Sequence, residues 1–195
     1  TVRIPRGKGL MSAEMLPAYR AQAIELAKPF ARDDIDVVVY GCTAAGFISG
    51  PEGDRTLARE LAMVTGKRVV TTAAAMVQAL QFEHAREIAL VTPYSDAVNR
   101  QLMLFLTEGE IKVKRMDTFR APDVDALGRI TAGEVSALAR KTMDVDCDAL
   151  FIACSQLPTQ SILDGLSREF HRPAWSSIRA TAWQAMQDRE TASIP

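Results

Sequence analysis

The sequence predicts an α/β fold built from right-handed βαβ units, and three observations lead to that prediction. Short runs rich in valine, isoleucine and leucine alternate with longer stretches of helical periodicity. Most of these runs are apolar at consecutive positions, which is typical of parallel strands that helices cover on both faces. Hydrophobic residues make up 48% of the 195 residues, enough to form a buried core in a chain of this length.

Five runs are predicted as strands: residues 35–40, 68–71, 88–92, 111–114 and 149–153. Four other segments carry apolar residues at helical spacing and are predicted as helices: residues 12–32, 54–65, 95–106 and 159–170. Ser12 is expected to cap the first of these helices and Gly66 to end the second. Because strands and helices alternate, the sheets are expected to be open and parallel.

The chain also contains what we interpret as an internal repeat. Residues 37–43 and 150–155 each consist of a strand, a small residue, a cysteine and a hydroxyl residue. A second pair of blocks, 70–80 and 175–186, recurs in the same order with one residue inserted. Two matching landmarks favour a duplicated α/β unit, whose two lobes would place a cysteine on each side of one cleft.

Charge and cysteine content exclude several classes of partner and site. With 23 basic and 24 acidic residues, the chain lacks the positive charge typical of nucleic-acid-binding proteins. We expect no export signal, because no apolar stretch of the required length follows the basic residues within 1–10, and no apolar run approaches the roughly 20 residues of a membrane helix. Three cysteines without framework spacing indicate reduced thiols, and no Cys-x-x-Cys pair supports a zinc site. We therefore expect a cytoplasmic protein with no nucleic-acid or membrane partner.

Cys42 and Cys154 are the candidate catalytic residues. Each is predicted to follow a strand and precede a helix, where amide groups and the helix dipole would favour the thiolate and lower its pKa. Two thiols on opposite faces of a substrate carbon can add or remove a group on one face and deliver a proton on the other. The alternative is that cysteine only fills the core, as it often does. Cys147, which has no counterpart in the repeat, is interpreted in that way.

Hydroxyl residues accompany the two candidate cysteines. Thr43 and Ser155 follow them directly, and Thr71 and Ser177 lie where neighbouring strands end. Hydroxyl and amide groups at these positions can hold a carboxylate, although each hydroxyl is equally well explained as a helix cap. Tyr94 follows a strand in a Thr-Pro-Tyr turn, and its hydroxyl can donate to a substrate oxygen unless the ring only packs.

Two further patterns bear on the ligand. Arg3, Arg6 and Arg55 can pair with an acidic substrate, although exposed arginines are more often simply solvated. The glycines between residues 41 and 53 do not form a phosphate-binding sequence, so nucleotide binding is disfavoured.

Five segments together resemble the aspartate/glutamate racemase superfamily, in the branch that contains maleate cis-trans isomerase and arylmalonate decarboxylase: residues 40–47, 71–73, 91–99, 152–155 and 176–183. The resemblance implies two pseudo-symmetric lobes, each an open parallel sheet flanked by helices, with the active site in the cleft between them. It also implies a small carboxylate substrate, no metal or organic cofactor, and a homo-oligomer, which the balanced charge does not oppose.

The resemblance divides the chain and assigns roles to its residues. We expect residues 1–82 and 176–195 to form the first lobe, without the family's first strand, and residues 83–175 to form the second. By position, Cys42 matches the family's nucleophile or base, and Cys154 matches the proton donor or acceptor on the opposite face. The groups that hold a substrate carboxylate in the family correspond to Thr43 and Tyr94.

Departures from the family patterns narrow the predicted reaction. The decarboxylase pattern has glycine at the position of Cys42 and serine at the position of Ala44, whereas Ile178 replaces an asparagine of the isomerase pattern. We therefore predict a cofactor-independent, two-cysteine isomerase or racemase that acts on a small carboxylate or dicarboxylate. The alternatives are a decarboxylase that uses Cys154 alone as its proton donor and a non-catalytic carboxylate-binding protein.

Overall fold

The computed structural model describes residues 1–5 and 9–191, with side chains as far as Gln187, and has the α/β architecture that the sequence predicts. Its strands form two parallel sheets flanked by helices. The first sheet pairs β1 (Val37–Tyr40) with β2 (Arg68–Thr71). The second has the order β4-β3-β5-β6, and its strands are β3 (Glu87–Thr92), β4 (Lys112–Thr118), β5 (Ala149–Ile152) and β6 (Ala174–Ser176).

All five predicted strands are present, but the boundary of one is wrong. Strand β4 ends at Thr118 rather than at residue 114, because it pairs with β3 as far as Thr92. Charged residues in β4 hide this continuation from a search for apolar runs. The edge strand β6 has only three residues and pairs with β5, every residue of which is buried.

The helices of the described chain are α1 (Leu16–Ala27), α2 (Thr43–Ile48), α3 (Gly50–Thr65), α4 (Thr72–Phe82), α5 (Asp96–Glu108), α6 (Val124–Arg129), α7 (Ala132–Thr142), α8 (Leu163–Phe170) and α9 (Ser177–Thr191). Three boundary predictions are wrong. Helix α3 begins at Gly50, four residues earlier than predicted. The Ser12 side chain makes no capping hydrogen bond, and it precedes a 3-10 turn that leads into α1. Helix α8 begins after a turn, four residues later than predicted. Gly66 does end α3, with a left-handed φ of 65°.

Close packing around α2 fixes the segment that follows β1. A Cβ atom at Gly46 would lie 2.5 Å from the Cβ of Ala73 and 2.8 Å from Oδ1 of Asp54, so this contact requires glycine. The Thr72 hydroxyl donates a 3.1 Å hydrogen bond to the carbonyl of Tyr40, the last residue of β1. These contacts hold the two residues between β1 and α2, one of which is Cys42, against α3 and α4.

Two kinds of feature are absent from the described residues. No helix within 1–5 and 9–191 has the length and apolar character needed to cross a bilayer. The same ranges hold no group of three or more His, Cys, Asp or Glu side chains arranged to bind a metal ion. The three cysteines are free thiols, and Cys147 lies in the core, where burial raises the pKa of its thiol.

Candidate active site

A cavity of about 650 Å³ brings together four of the candidate site residues. Cys42 lies on its wall, half-buried, in the loop between β1 and α2. Thr43, at the start of α2, lines the same cavity, as do Tyr94 and Ser155 from the loops that follow β3 and β5. The carboxyl ends of strands from both sheets therefore meet at one space, which is where open α/β folds bind ligands.

Cys154 lies behind this wall, with 7% of its surface exposed. Its backbone has a φ of 102°, a left-handed conformation that is strained for any residue other than glycine. The amide N–H of Gln156 approaches its Sγ at 3.5 Å. The expectation that a helix directly follows Cys154 is wrong: a turn does, and α8 starts only at Leu163.

Three hydroxyl groups join the loops that carry the two cysteines. Thr43 Oγ1 lies 3.2 Å from Ser155 Oγ and donates a 3.1 Å hydrogen bond to Ser177 Oγ. Ser155 also donates to the carbonyl of Gly41 at 2.9 Å, and Ser177 accepts the N–H of Cys154 at 3.0 Å. The hydroxyl cluster Thr43–Ser155–Ser177 therefore connects residues adjacent to Cys42 with the backbone of Cys154.

Tyr94 adds a hydroxyl close to both thiols. Burial raises the pKa of this hydroxyl well above its ordinary value, and the negative charges of the Cys154 and Cys42 thiolates raise it further. The hydroxyl is therefore a neutral donor, and it makes no hydrogen bond of normal geometry to a described residue. Its loop is fixed, because the Tyr94 carbonyl accepts hydrogen bonds from Asn99 at 3.1 Å and Thr118 at 2.7 Å.

The charge that the described residues place on the cavity wall is positive. Arg3 is the cation on this wall, and no aspartate or glutamate lines it. Arg55 is exposed and pairs with Glu52 on α3, and Arg6 lies outside the described residues. Gln156 also lines the cavity; sequence reasoning missed it, and its only signal is its position two residues after Cys154. A wall with one cation and no anion suits an anionic ligand.

Thr71 is not on this wall, because it serves a structural contact elsewhere. Its hydroxyl donates to Oδ2 of Asp54 and accepts the N–H of Ala74, so it caps α4. Asp54 is 2% exposed, and its Oδ1 atom has no hydrogen-bond partner among the described residues. Burial raises the pKa of Asp54 to about 6. The helical spacing of the sequence could have predicted this buried carboxyl, because Asp54 lies on the same inward face of α3 as Leu57 and Leu61.

The variant Asp54→Asn is expected to gain stability relative to the wild type as pH rises. Because the folded-state pKa of about 6 exceeds the ordinary value of 3.8, the protonated carboxyl favours folding. That contribution is complete below about pH 4 and is lost as pH rises through 6, a change of about 3 kcal/mol in all. Urea unfolding at pH 5 and pH 8 measures the free energy of unfolding of both proteins. The value for the variant minus the value for the wild type should be about 1–2 kcal/mol more positive at pH 8 than at pH 5. An equal gap at both pH values would contradict a raised pKa.

The variant Tyr94→Phe is expected to lose activity without losing stability. The buried hydroxyl makes no hydrogen bond of normal geometry to a described residue, and the edge-on contact of the ring with Phe47 at 5.4 Å is kept, so the change in stability should be small. If this hydroxyl donates to an oxyanion that develops on a bound substrate, as the sequence predicts, its loss should lower kcat on the order of 10²–10³-fold. Steady-state kinetics and thermal unfolding check both parts, and a drop in Tm would indicate a packing role instead.

The chain is similar to known proteins in both sequence and fold. The sequence model of the arylmalonate decarboxylase family matches residues 7–194. The maleate isomerase of Nocardia farcinica is 27% identical over 183 residues, which cover 91% of this chain and 73% of that protein. The arylmalonate decarboxylase of Bordetella bronchiseptica is 24% identical over 183 residues, covering 93% of this chain and 76% of that protein.

Among solved structures, one similar fold is a Nocardia farcinica maleate cis-trans isomerase, in a cysteine-to-serine variant with a covalently bound succinylcysteine intermediate. It has a TM-score of 0.85 and 25% sequence identity, and the match covers 94% of this chain and 77% of that chain. Because the family model spans nearly the whole sequence, this chain belongs to the arylmalonate decarboxylase family.

Proposed function

We propose that this chain is a cofactor-independent isomerase of a small unsaturated dicarboxylate, with Cys42 and Cys154 as its catalytic residues. The observation that carries the proposal is the hydroxyl cluster, which joins the loops of both cysteines beside a cavity whose wall is cationic. Maleate isomerases among the relatives, and the succinylcysteine intermediate of one of them, support the same chemistry. Maleate is therefore the first substrate to test.

The proposed reaction begins with addition of a thiolate to the double bond. The Cys42 sulfur forms a bond to one olefinic carbon, and the π electrons move onto the neighbouring carboxylate as an enediolate. Cys154 delivers a proton to the carbanionic carbon, which leaves a single bond free to rotate. After rotation, the carbon presents its other hydrogen to the Cys154 thiolate, which removes it as a proton. The carbon–sulfur bond then breaks, and the trans acid leaves with Cys42 again a thiolate and Cys154 again a thiol.

Polar groups of the cavity wall would hold the charge that develops on the substrate. Thr43, Ser155 and Tyr94 line this space. The hydroxyl protons of Thr43 and Ser155 go to Ser177 and to the Gly41 carbonyl, so the donor left for the substrate is Tyr94, which is neutral because its pKa is raised. Arg3 would pair with the second carboxylate of a dicarboxylic acid. Each donor aimed at the developing oxyanion contributes about 3–4 kcal/mol in the transition state. In this proposal Ser177 and Thr71 do not touch the substrate.

Decarboxylation of a malonate is the second candidate, and one observation favours it. Most of the cavity wall away from the hydroxyl cluster is apolar, with side chains that include Leu26, Phe30 and Val38. Such a wall would hold the substituent of an arylmalonate, and one curated relative is an arylmalonate decarboxylase. Cys154 would then protonate the enediolate that remains after loss of carbon dioxide.

Incubation with maleate and with phenylmalonate in separate reactions distinguishes the two candidates. Proton NMR follows fumarate formation from maleate, and gas evolution follows loss of carbon dioxide from phenylmalonate. We expect fumarate and no carbon dioxide. Carbon dioxide without fumarate would favour the decarboxylase, and neither product, with bound maleate detectable by calorimetry, would leave a carboxylate-binding protein.

Three further features are part of the proposal. The division into lobes at residues 82/83 and 175/176 agrees with the membership of the two sheets, because β6 belongs to the second sheet and α9 packs on α4 and β2. Residues 6–8 and 192–195 of the first lobe lie outside the described residues.

We place the protein in the cytoplasm, where free thiols persist, and propose that it forms a homo-oligomer.

A further inference from the structure

We propose that Ser177 is a positioning residue that holds both cysteine loops in register, rather than a residue that binds substrate. This inference rests on the proposed function only in taking Cys42 and Cys154 as the reacting groups. Ser177 has no exposed surface and is not on the cavity wall. Its hydroxyl instead accepts the Thr43 hydroxyl at 3.1 Å and the Cys154 N–H at 3.0 Å.

The two hydrogen bonds use the full acceptor capacity of the Ser177 hydroxyl, since a serine oxygen has two lone pairs. Thr43 follows Cys42 directly, so the first bond fixes the start of α2, and the second fixes the backbone of Cys154 itself. This oxygen atom therefore bonds to two loops that follow strands of different sheets, in addition to the direct hydrogen bond from Ser155 to the Gly41 carbonyl.

The conformation of Cys154 explains why this support is needed. A φ of 102° is unfavourable for cysteine and persists only where surrounding contacts impose it. Without Ser177 Oγ, the buried N–H of Cys154 would lack this acceptor, and rotation of the backbone toward negative φ would become favourable. Such a rotation swings the Cα–Cβ bond and moves Sγ away from Tyr94, whose hydroxyl lies beside it.

Ser177 is itself held by a rigid element. It is the first residue of α9 and follows β6 directly, and the Thr181 hydroxyl donates a 2.7 Å hydrogen bond to its carbonyl. The neighbouring Ser176 offers a matched control, because it is 1% exposed and its hydroxyl accepts the N–H of Arg179 at 3.3 Å. That bond caps α9 and has no connection to either cysteine loop.

The experiment compares Ser177→Ala with Ser176→Ala in the full chain. Activity on maleate gives kcat and KM separately, and timed iodoacetamide labelling with peptide mapping gives the alkylation rates of Cys154 and Cys42. For Ser177→Ala we expect kcat to fall on the order of 10²-fold, as for an Ångström-scale displacement, with KM nearly unchanged. The ratio of Cys154 to Cys42 alkylation should change as well. Ser176→Ala should keep kcat and the ratio of Cys154 to Cys42 alkylation close to the wild-type values. Ser177→Thr retains the hydroxyl and should therefore recover most of the kcat that Ser177→Ala loses.

Each other outcome overturns the inference. A raised KM with unchanged kcat would make Ser177 a binding residue, and equal effects of the two alanine variants would make it an ordinary cap. If Ser177→Ala does not fold, Thr43→Val removes one of the two bonds and must give a smaller loss in kcat with a smaller change in the alkylation ratio, because the Cys154 N–H keeps its acceptor. If the wild type turns over no acid, the proposed function fails, but the alkylation ratio still decides the role of Ser177.

Discussion

Replacing Cys42 with alanine is expected to lower the rate of maleate isomerisation on the order of 10⁴-fold or more, the loss seen when a covalent nucleophile is removed. Cys42 is half-buried on the cavity wall, and no other thiol lines that wall. Without this sulfur the addition step has no nucleophile, and the neighbouring hydroxyls are far weaker ones at neutral pH. Initial rates of fumarate formation by NMR measure the effect.

The control for Cys42→Ala is Cys147→Ala, which also removes one thiol. Cys147 is 1% exposed in the core and touches no part of the cavity wall, so this variant should retain its kcat even if its Tm falls. If Cys42→Ala keeps a rate within tenfold of the wild type, covalent addition by Cys42 is wrong. If it instead leaves carbon dioxide release from phenylmalonate intact, the one-cysteine decarboxylase gains support.

The variant Cys154→Ser is expected to lower isomerisation on the order of 10²–10⁴-fold, the usual contribution of a general acid–base group. Addition by Cys42 does not require Cys154, so the reaction should stall after that step. Intact-mass analysis should then show a gain of one maleic acid, with water supplying the proton, and peptide mapping should locate it on Cys42. An adduct on another residue, or full activity with no adduct, would contradict the roles proposed for the two cysteines.

The fold was predictable because its signals are local. Apolar runs identify five of the six strands, and the glycine at 66 ends α3 as expected, since these features depend on a few consecutive residues. The errors occur where tertiary pairing overrides the pattern. Strand β4 extends because β3 pairs with it as far as Thr118, and the predicted helix after Cys154 is replaced by a turn.

The candidate site was predictable only in part, because a hydroxyl residue does not reveal its partner. Thr43 and Ser155 reach the cavity, whereas Thr71 turns to the buried Asp54 and caps α4. The sequence places all three after or within strand ends, so it cannot separate them. Their division follows from which helix packs behind each strand, and the fixed contact at Gly46 is part of that packing.

From the sequence alone follow the α/β class, the two strand-end cysteines and the resemblance that the family match confirms. All three can be recognised from short segments of sequence, because residue types and periodicity within a segment do not depend on its tertiary contacts. Only the tertiary structure decided that one buried oxygen on Ser177 reaches both cysteine loops, and that Arg3 shares a cavity with Cys42. Thr43 and Ser177 lie 134 residues apart, and a contact at that separation exists only once both sheets have packed.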